Sequence, residues 1–357
     1  MIRRWFDAHL DLAFLAETGR DMHAPLSECR GRIAPPAVTL PSLAEGRVTH
    51  ALATVYTAPY PGDDAPPESE TGPWNYRPDD TLSAYKAGMR QLKLYRAWRE
   101  AGVVRFLRDA ADERSESGGS VGPLTIGILM ENADPIESPE QLDEWVEGGV
   151  VAVGLAWATP SRYAAGNSIE PADDFGLTDL GRAFVARMDE LGVVHDLSHL
   201  SPRAVAGVLE ATDKPVIASH SNCRALMTHQ GERAAQRHLD DATIREIARR
   251  GGVVGINLYS PFLDAAIGHG SPERASIAAA VAHVEHACEL IGDRRHVALG
   301  SDMDGGFPAN RLPEAVDTPA DLRKLAEALS ARGWSDADVN AFAFDNWARF
   351  WRVPAGD

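Results

Sequence analysis

Eight short apolar runs, separated by segments of helical period, constrain this fold more than any other feature of the 357-residue chain. The first leads into Asp7-Ala8-His9-Leu10-Asp11, and the others cover residues 48–56, 124–130, 150–157, 192–197, 215–218, 252–257 and 296–299. Each has the length of a strand rather than of a helix. Residues 178–191 show what lies between them: Leu180, Phe184, Val185, Met188 and Leu191 fall on one helical stripe, Thr178 or Asp179 can cap its start, and Gly192 can end it. Strands alternating with helices argue for βαβ units and a parallel sheet rather than a sandwich. Eight such units predict an α/β fold, one (β/α)8 TIM barrel domain over residues 1–357 with elaborated loops at its C-terminal face.

Several of these runs end in residues that bind metals. Successive side chains on a strand point to opposite faces, so His9 and Asp11 point the same way. An imidazole and a carboxylate converging there suit a first-row divalent metal such as zinc. The run at 124–130 ends in Glu131, that at 192–197 runs into His199, that at 215–218 into His220, and that at 296–299 into Asp302 and Asp304. In a (β/α)8 barrel the C-terminal ends of the strands build the active site, and all of these residues fall there.

Charge and cysteine content narrow the functional classes. Lys+Arg number 35 against 52 Asp+Glu, a net charge of −17, which disfavours nucleic acid and anionic membrane as partners. Cys29, Cys223 and Cys288 are scattered without Cys-x-x-Cys spacing, so they read as small buried hydrophobes rather than as a disulfide framework. The first strand begins within ten residues of Met1, with no signal peptide or spanning helix, so a cytoplasmic protein is expected.

Two irregular stretches, 57–80 and 158–176, follow strands and therefore emerge on the catalytic face as walls or lids, with Trp74, Tyr76 and Tyr163 facing substrate or packing the loops. The polar run 110–120 reads as a mobile connection on the opposite face. His195 shares strand parity with His199 but stands four residues away, about 13 Å along a strand, so it is expected to be a hydrogen-bonded residue beneath the site. Asp304 is expected behind the ligands, and His229, His269, His283 and His286 are expected to face solvent.

Taken in order, these segments resemble the membrane (renal) dipeptidases, zinc hydrolases related to the amidohydrolase superfamily. The likeness lies in Asp7-Ala-His9-Leu-Asp11-Leu12, Glu131-Asn-Ala-Asp134, Gly176-Leu-Thr-Asp-Leu-Gly181, Val194-His-Asp196-Leu-Ser-His199, Ser219-His220-Ser-Asn222, Arg237-His-Leu-Asp-Asp241, Gly251-Gly-Val-Val-Gly-Ile-Asn257 and Gly300-Ser-Asp302-Met-Asp304-Gly305. The resemblance implies two Zn2+ per chain, with His9 and Asp11 on the first, Glu131 bridging, and His199 and His220 on the second. Two ions sharing a carboxylate can acidify a solvent molecule between them, giving a nucleophile for an amide carbonyl. Asp302 is implied as the base that later protonates the leaving amine, and Arg237 as the grip on a dipeptide's free carboxylate.

One position departs from the family pattern. A histidine follows the fourth strand in these dipeptidases, in a Leu-Thr-His context, and here the chain reads Leu155-Ala156-Trp157. That histidine helps hold the substrate carbonyl, whereas an indole offers one donor and no charge. The sequence therefore predicts a dipeptidase-type hydrolase of small amides, assembled as a homodimer, that takes C-terminal D-residues as well. A second reading keeps the metals and replaces the substrate by N-acyl amino acids or lactones, with Trp157 in an apolar acyl pocket. The third is a catalytically weak metal-binding homologue, against which the five intact ligand positions argue.

Overall fold

A computed structural model describes residues 2, 4–60, 72–77, 80–110, 122–228 and 231–353. All eight predicted runs are strands: β1 (Trp5–Leu10), β2 (Val48–Val55), β3 (Leu124–Met130), β4 (Val150–Gly154), β5 (Val194–Asp196), β6 (Val216–Ile217), β7 (Val254–Ile256) and β8 (Val297–Leu299). Strands β1 to β6 are hydrogen-bonded in chain order, each parallel to the next, and β7 pairs with β8, also in parallel. A single parallel bridge, Ala218 to Val254, joins β6 to β7, and at the other seam the Asp302 amide donates to the His9 carbonyl at 3.3 Å. The result is a curled parallel sheet with helices on its outside.

Burial on both faces explains why these strands read as continuous apolar runs instead of alternating ones. Every residue of β1 and of β3 is buried. Inside the curl, Phe6, Leu52, Leu129, Ala152, Ile217 and Ala298 form a compact cluster closed by Phe344 and Trp347 from the C-terminal helical segment. The Trp347 indole N–H donates to the Leu299 carbonyl at 2.8 Å, which anchors that segment under β8. Close approach of β6, β7 and β8 depends on two glycines: a Cβ on Gly255 or Gly300 would stand 2.0 or 1.8 Å from the Ser219 carbonyl oxygen.

A short strand absent from the expected set, Val104–Phe106, pairs with the first half of β3. Its central residue, Arg105, is exposed between two buried neighbours, a signal too short to register as a strand by period alone.

The helix at Asp179–Leu191 starts and ends as expected, with Thr178 Oγ1 accepting from the Gly181 amide and Gly192 in the left-handed conformation at φ 67. Its buried face is rotated from the predicted stripe. Gly181, Phe184, Val185 and Met188 are buried while Leu180 is 38% exposed. A Cβ on Gly181 would meet the Tyr163 carbonyl at 2.1 Å, so the helix docks through its smallest residue and turns Leu180 outward.

The loop aromatics pack rather than face substrate. Trp74 is buried with its ring 4.7 Å from that of Phe14, the Tyr76 hydroxyl donates to Asp134 at 2.8 Å, and Tyr163 is wholly buried with its hydroxyl on the Ile136 carbonyl. Residues 61–71, 78–79 and 111–121, which include most of the two stretches read as a Pro-rich wall and a polar connection, lie outside the described residues, as does His229. His283, expected at the surface, is fully buried: it accepts from the Cys223 amide at 3.1 Å and donates to the Leu263 carbonyl at 3.3 Å, so helical context hid a satisfied core histidine. His269 is exposed and His286 half-buried. Among the described residues no helix is long and apolar enough to cross a membrane.

Candidate metal centre

The C-terminal ends of the strands bring His9, Asp11, Glu131, His199, His220 and Asp302 into one cluster. Glu131 Oε1 lies 3.2 Å from His199 Nε2, 3.6 Å from His220 Nε2 and 3.6 Å from His9 Nε2. His9 Nε2 is in turn 3.6 Å from Asp11 Oδ1 and 3.9 Å from Asp302 Oδ1. Two of its triads, His9 with Glu131 and His220, and His9 with Asp11 and Asp302, have ligand atoms close enough together to hold one ion each. His9 rides on β1, while His199 and Asp302 sit just past β5 and β8 in left-handed backbone, at φ 66 and 59. Such conformations are costly outside glycine and cluster at functional sites.

Hydrogen bonds on the far side of the His199 and His220 imidazoles assign their tautomers, and they test whether the pocket suits a cation. His199 Nδ1 faces Asn167 Oδ1 at 3.1 Å; an amide oxygen only accepts, so Nδ1 carries the proton and Nε2 presents a lone pair. Ser219 Oγ gives its own proton to Asp196 and lies 2.8 Å from His220 Nδ1, which must therefore donate, leaving His220 Nε2 a lone pair as well. The same hydroxyl lies 3.5 Å from His9 Nδ1. Two Nε2 lone pairs facing one another at 2.9 Å repel unless a cation sits against both, and three carboxylates complete the donor set. The residues therefore fit divalent metal.

Burial dominates the electrostatics. Desolvation pushes the Glu131 and Asp302 carboxyls well above the ordinary range, with the Asp11 charge adding to each. Asp11 itself is pushed up to about 6 by burial against the opposing hydrogen bond from Thr54. Burial, and then the Arg237 charge, carry His9 down to about 3, while His199 and His220 fall well below their usual value for the same leading reason. A doubly charged cation would let these acids ionise and these imidazoles remain neutral.

Asp302 has two distinct oxygens. Oδ2 accepts from Asn257 Nδ2 at 2.8 Å, and Oδ1 is the atom that faces His9. A Cβ on Gly305 would stand 1.7 Å from Oδ1, so glycine there leaves the carboxylate its room.

Arg237 is 5% exposed, not a surface residue. It donates to the His220 carbonyl at 2.8 Å and to Ser221 Oγ at 3.1 Å, stands over the Phe262 ring at 5.1 Å, and leaves a buried Nε without a partner. Trp157 is half-buried, its ring centroid 5.9 Å from His199 and 5.3 Å from Tyr56.

Asp304 stays off the cluster. It is fully buried in an ion pair with Arg20, and its Oδ2 also accepts from the Ala37 and Val38 amides at 2.8 and 2.7 Å, fastening the segment after β1 to the end of β8. His195 is hydrogen-bonded to Asp189 of the flanking helix at 2.8 Å, and since β5 ends at Asp196 the chain turns before His199.

Thr54, Asn167, Ser219 and Asn257 orient the ligands, and sequence inspection singled out none of them for that role. Ser219 and Asn257 lie inside motifs that are legible in the sequence. Asn167 comes from a loop that only folding brings to His199.

A metallopeptidase from Rhodobacter sphaeroides, solved with a phosphinate mimic of the dipeptide L-Ala-D-Ala, superposes with a TM-score of 0.80 over 99% of each chain at 24% identity. The probable dipeptidase PvdM of Pseudomonas aeruginosa gives 0.77 over 98% of this chain and 95% of its own, at 20% identity. Both likenesses are in the fold. An uncharacterized Klebsiella pneumoniae protein encoded in the pqqA 5' region is 30% identical over 277 residues, 76% of this chain and 95% of that one. An uncharacterized dipeptidase of Schizosaccharomyces pombe is 28% identical over 216 residues, 60% of this chain, which spans only 49% of that relative. The sequence model of the membrane dipeptidases matches residues 3–354, essentially the whole chain, and this protein accordingly belongs to the membrane dipeptidase family, peptidase family M19, a family of metallodipeptidases.

Proposed function

We propose that the protein is a zinc-dependent dipeptidase that binds two ions sharing Glu131 and cleaves dipeptides with a free C-terminal carboxylate, D-residues at that position included. The observation that carries this reading is the convergence of the His9, His199 and His220 Nε2 atoms on one Glu131 oxygen. With Asp11 Oδ1 3.6 Å from His9 Nε2 the donors number five, one more than a tetrahedral zinc takes, and they divide naturally between two ions. The eight strands are read as a closed (β/α)8 barrel, and residues 1–357 as one domain.

Held by His9, Asp11, Glu131, His199 and His220, two zinc ions would supply polarisation of the scissile carbonyl and acidification of a solvent nucleophile. Asp302 Oδ1 takes the proton of the attacking solvent and returns it to the leaving amine, while Asn257 holds Oδ2 and fixes the carboxylate plane. Arg237 supplies charge for the substrate carboxylate, its guanidinium already oriented by the His220 carbonyl and Ser221. Trp157 walls the acyl side next to His199. The mimic of L-Ala-D-Ala bound by the Rhodobacter relative supports the D-residue assignment.

A second reading has one observation in its favour. The Trp157 indole, standing where the family histidine is expected, makes that side apolar and suits an N-acyl amino acid or a lactone. Hydrolysis rates of zinc-reconstituted protein on L,L and L,D dipeptides against N-acyl amino acids decide between the two. Turnover of N-acyl amino acids alone would overturn the dipeptidase reading.

A further inference from the structure

Strand β2 ends at Val55, and the next residue is held by a side chain instead of by a neighbouring strand. The fully buried Gln91 accepts from the Tyr56 amide at 2.9 Å and donates to the Tyr56 carbonyl at 2.6 Å, completing both backbone bonds of that residue. Gln91 also donates to Glu17 at 3.1 Å, so its amide orientation is fixed. The Tyr56 ring is boxed edge-on by Phe14 at 5.3 Å and by Trp157 at 5.3 Å. Backbone and ring therefore have one arrangement.

The hydroxyl at the end of that half-buried ring is unlike those of the buried phenols. Tyr76, Tyr95 and Tyr163 each spend their proton on a protein acceptor: Asp134, the Thr54 carbonyl and the Ile136 carbonyl. Tyr56 has no hydroxyl hydrogen bond among the described residues. It directly follows Val55, whose carbonyl accepts from the Glu131 amide at 3.2 Å, and burial with the Glu131 and Asp11 charges holds its phenol protonated. A fixed neutral donor thus stands beside the ligand cluster, in contact with the indole that replaces the family histidine. Preorganised donors of this kind stabilise an oxyanion without reorganising when charge develops.

We infer that the Tyr56 hydroxyl donates a hydrogen bond to the oxyanion that forms on the scissile carbonyl, a catalytic role that Trp157 cannot fill alone. The inference rests on the dipeptidase reading and adds one residue to it. Gln91 is a positioning residue for the same group, acting through the Tyr56 backbone.

The test compares zinc-loaded parent with Tyr56→Phe, which keeps the ring and removes one oxygen. Kinetics on L-Ala-D-Ala are read beside calorimetric affinity for its phosphinate mimic, metal content and melting temperature. The expected result is a kcat lower by about 100-fold with KM within about twofold, affinity for the mimic lost in the same proportion, and metal content and melting temperature unchanged. Parent-like kcat and mimic affinity would overturn the inference, as would a rise in KM alone. A parent that neither hydrolyses the dipeptide nor binds the mimic would instead overturn the dipeptidase reading, and this inference with it.

Discussion

His199 Nε2 and His220 Nε2 stand 2.9 Å apart with both protons committed to their Nδ1 sides, so the two rings offer lone pairs to the same point. A cation would relieve that repulsion, and Glu131 Oε1, 3.2 Å from His199 Nε2, stands where two ions would share it. Two metals per chain are expected by elemental analysis of zinc-dialysed protein. Chelation should lower the melting temperature, and zinc should restore it. A reproducible ceiling of one ion per chain would refute the shared-carboxylate arrangement.

Asp302→Asn tests the proton carrier. Asparagine tolerates the left-handed backbone that Asp302 adopts at φ 59 and can keep one bond to Asn257, so the variant should fold and load metal normally. Turnover should fall by about 10²–10⁴-fold, the share general acid-base catalysis ordinarily supplies. Parent-like rates would remove Asp302 from the mechanism.

Trp157→His separates a catalytic from a packing role for the indole. The ring is half-buried between Tyr56 and His199, and an imidazole there restores a second polar atom beside the developing charge. The expected outcome is an increase of about tenfold in kcat/KM on Gly-Ala-type dipeptides. A lowered melting temperature with no gain in rate would show that Trp157 only packs.

The pair Arg20 and Asp304 should behave as a buried ion pair. Arg20→Met leaves Asp304 charged and buried without its partner, a loss of about 3–5 kcal/mol in denaturant unfolding. Adding Asp304→Asn should recover much of it, because the amide oxygen can still accept from Ala37 and Val38. Equal stability of the single and double variants would contradict the assignment.

His283 should contribute to acid sensitivity. Burial, opposed by the bond to Leu263, lowers it from 6.5 to about 4, so it stays neutral in the fold while the unfolded chain takes up a proton. Its contribution is complete above pH 6.5 and is lost as pH falls toward 4, where the unfolded state binds the extra proton. His283→Gln should flatten the stability slope in that window by up to about 1.4 kcal/mol per pH unit. An unchanged slope would mean that His283 is not protected in the fold.

The eight strands were legible in the sequence because burial on both faces demands continuous apolar runs, and so was the gathering of His9, Asp11, Glu131, His199, His220 and Asp302, because parallel strands put their C-terminal ends on one side. Thr178 and Gly192 marked their helix for a local reason, capping chemistry and a left-handed φ. Only the tertiary structure decided contacts made across long stretches of chain. Leu180 points outward because Gly181 docks on Tyr163, His283 is buried because it meets Cys223 and Leu263, and Asp304 leaves the cluster because Arg20 reaches it. Period and motif report what a residue's own segment requires. They carry nothing about the partner that folding brings to it from 20, 60 or 284 residues away, as Leu263 and Cys223 are brought to His283 and Arg20 to Asp304, and in each case that partner fixed the side chain's role.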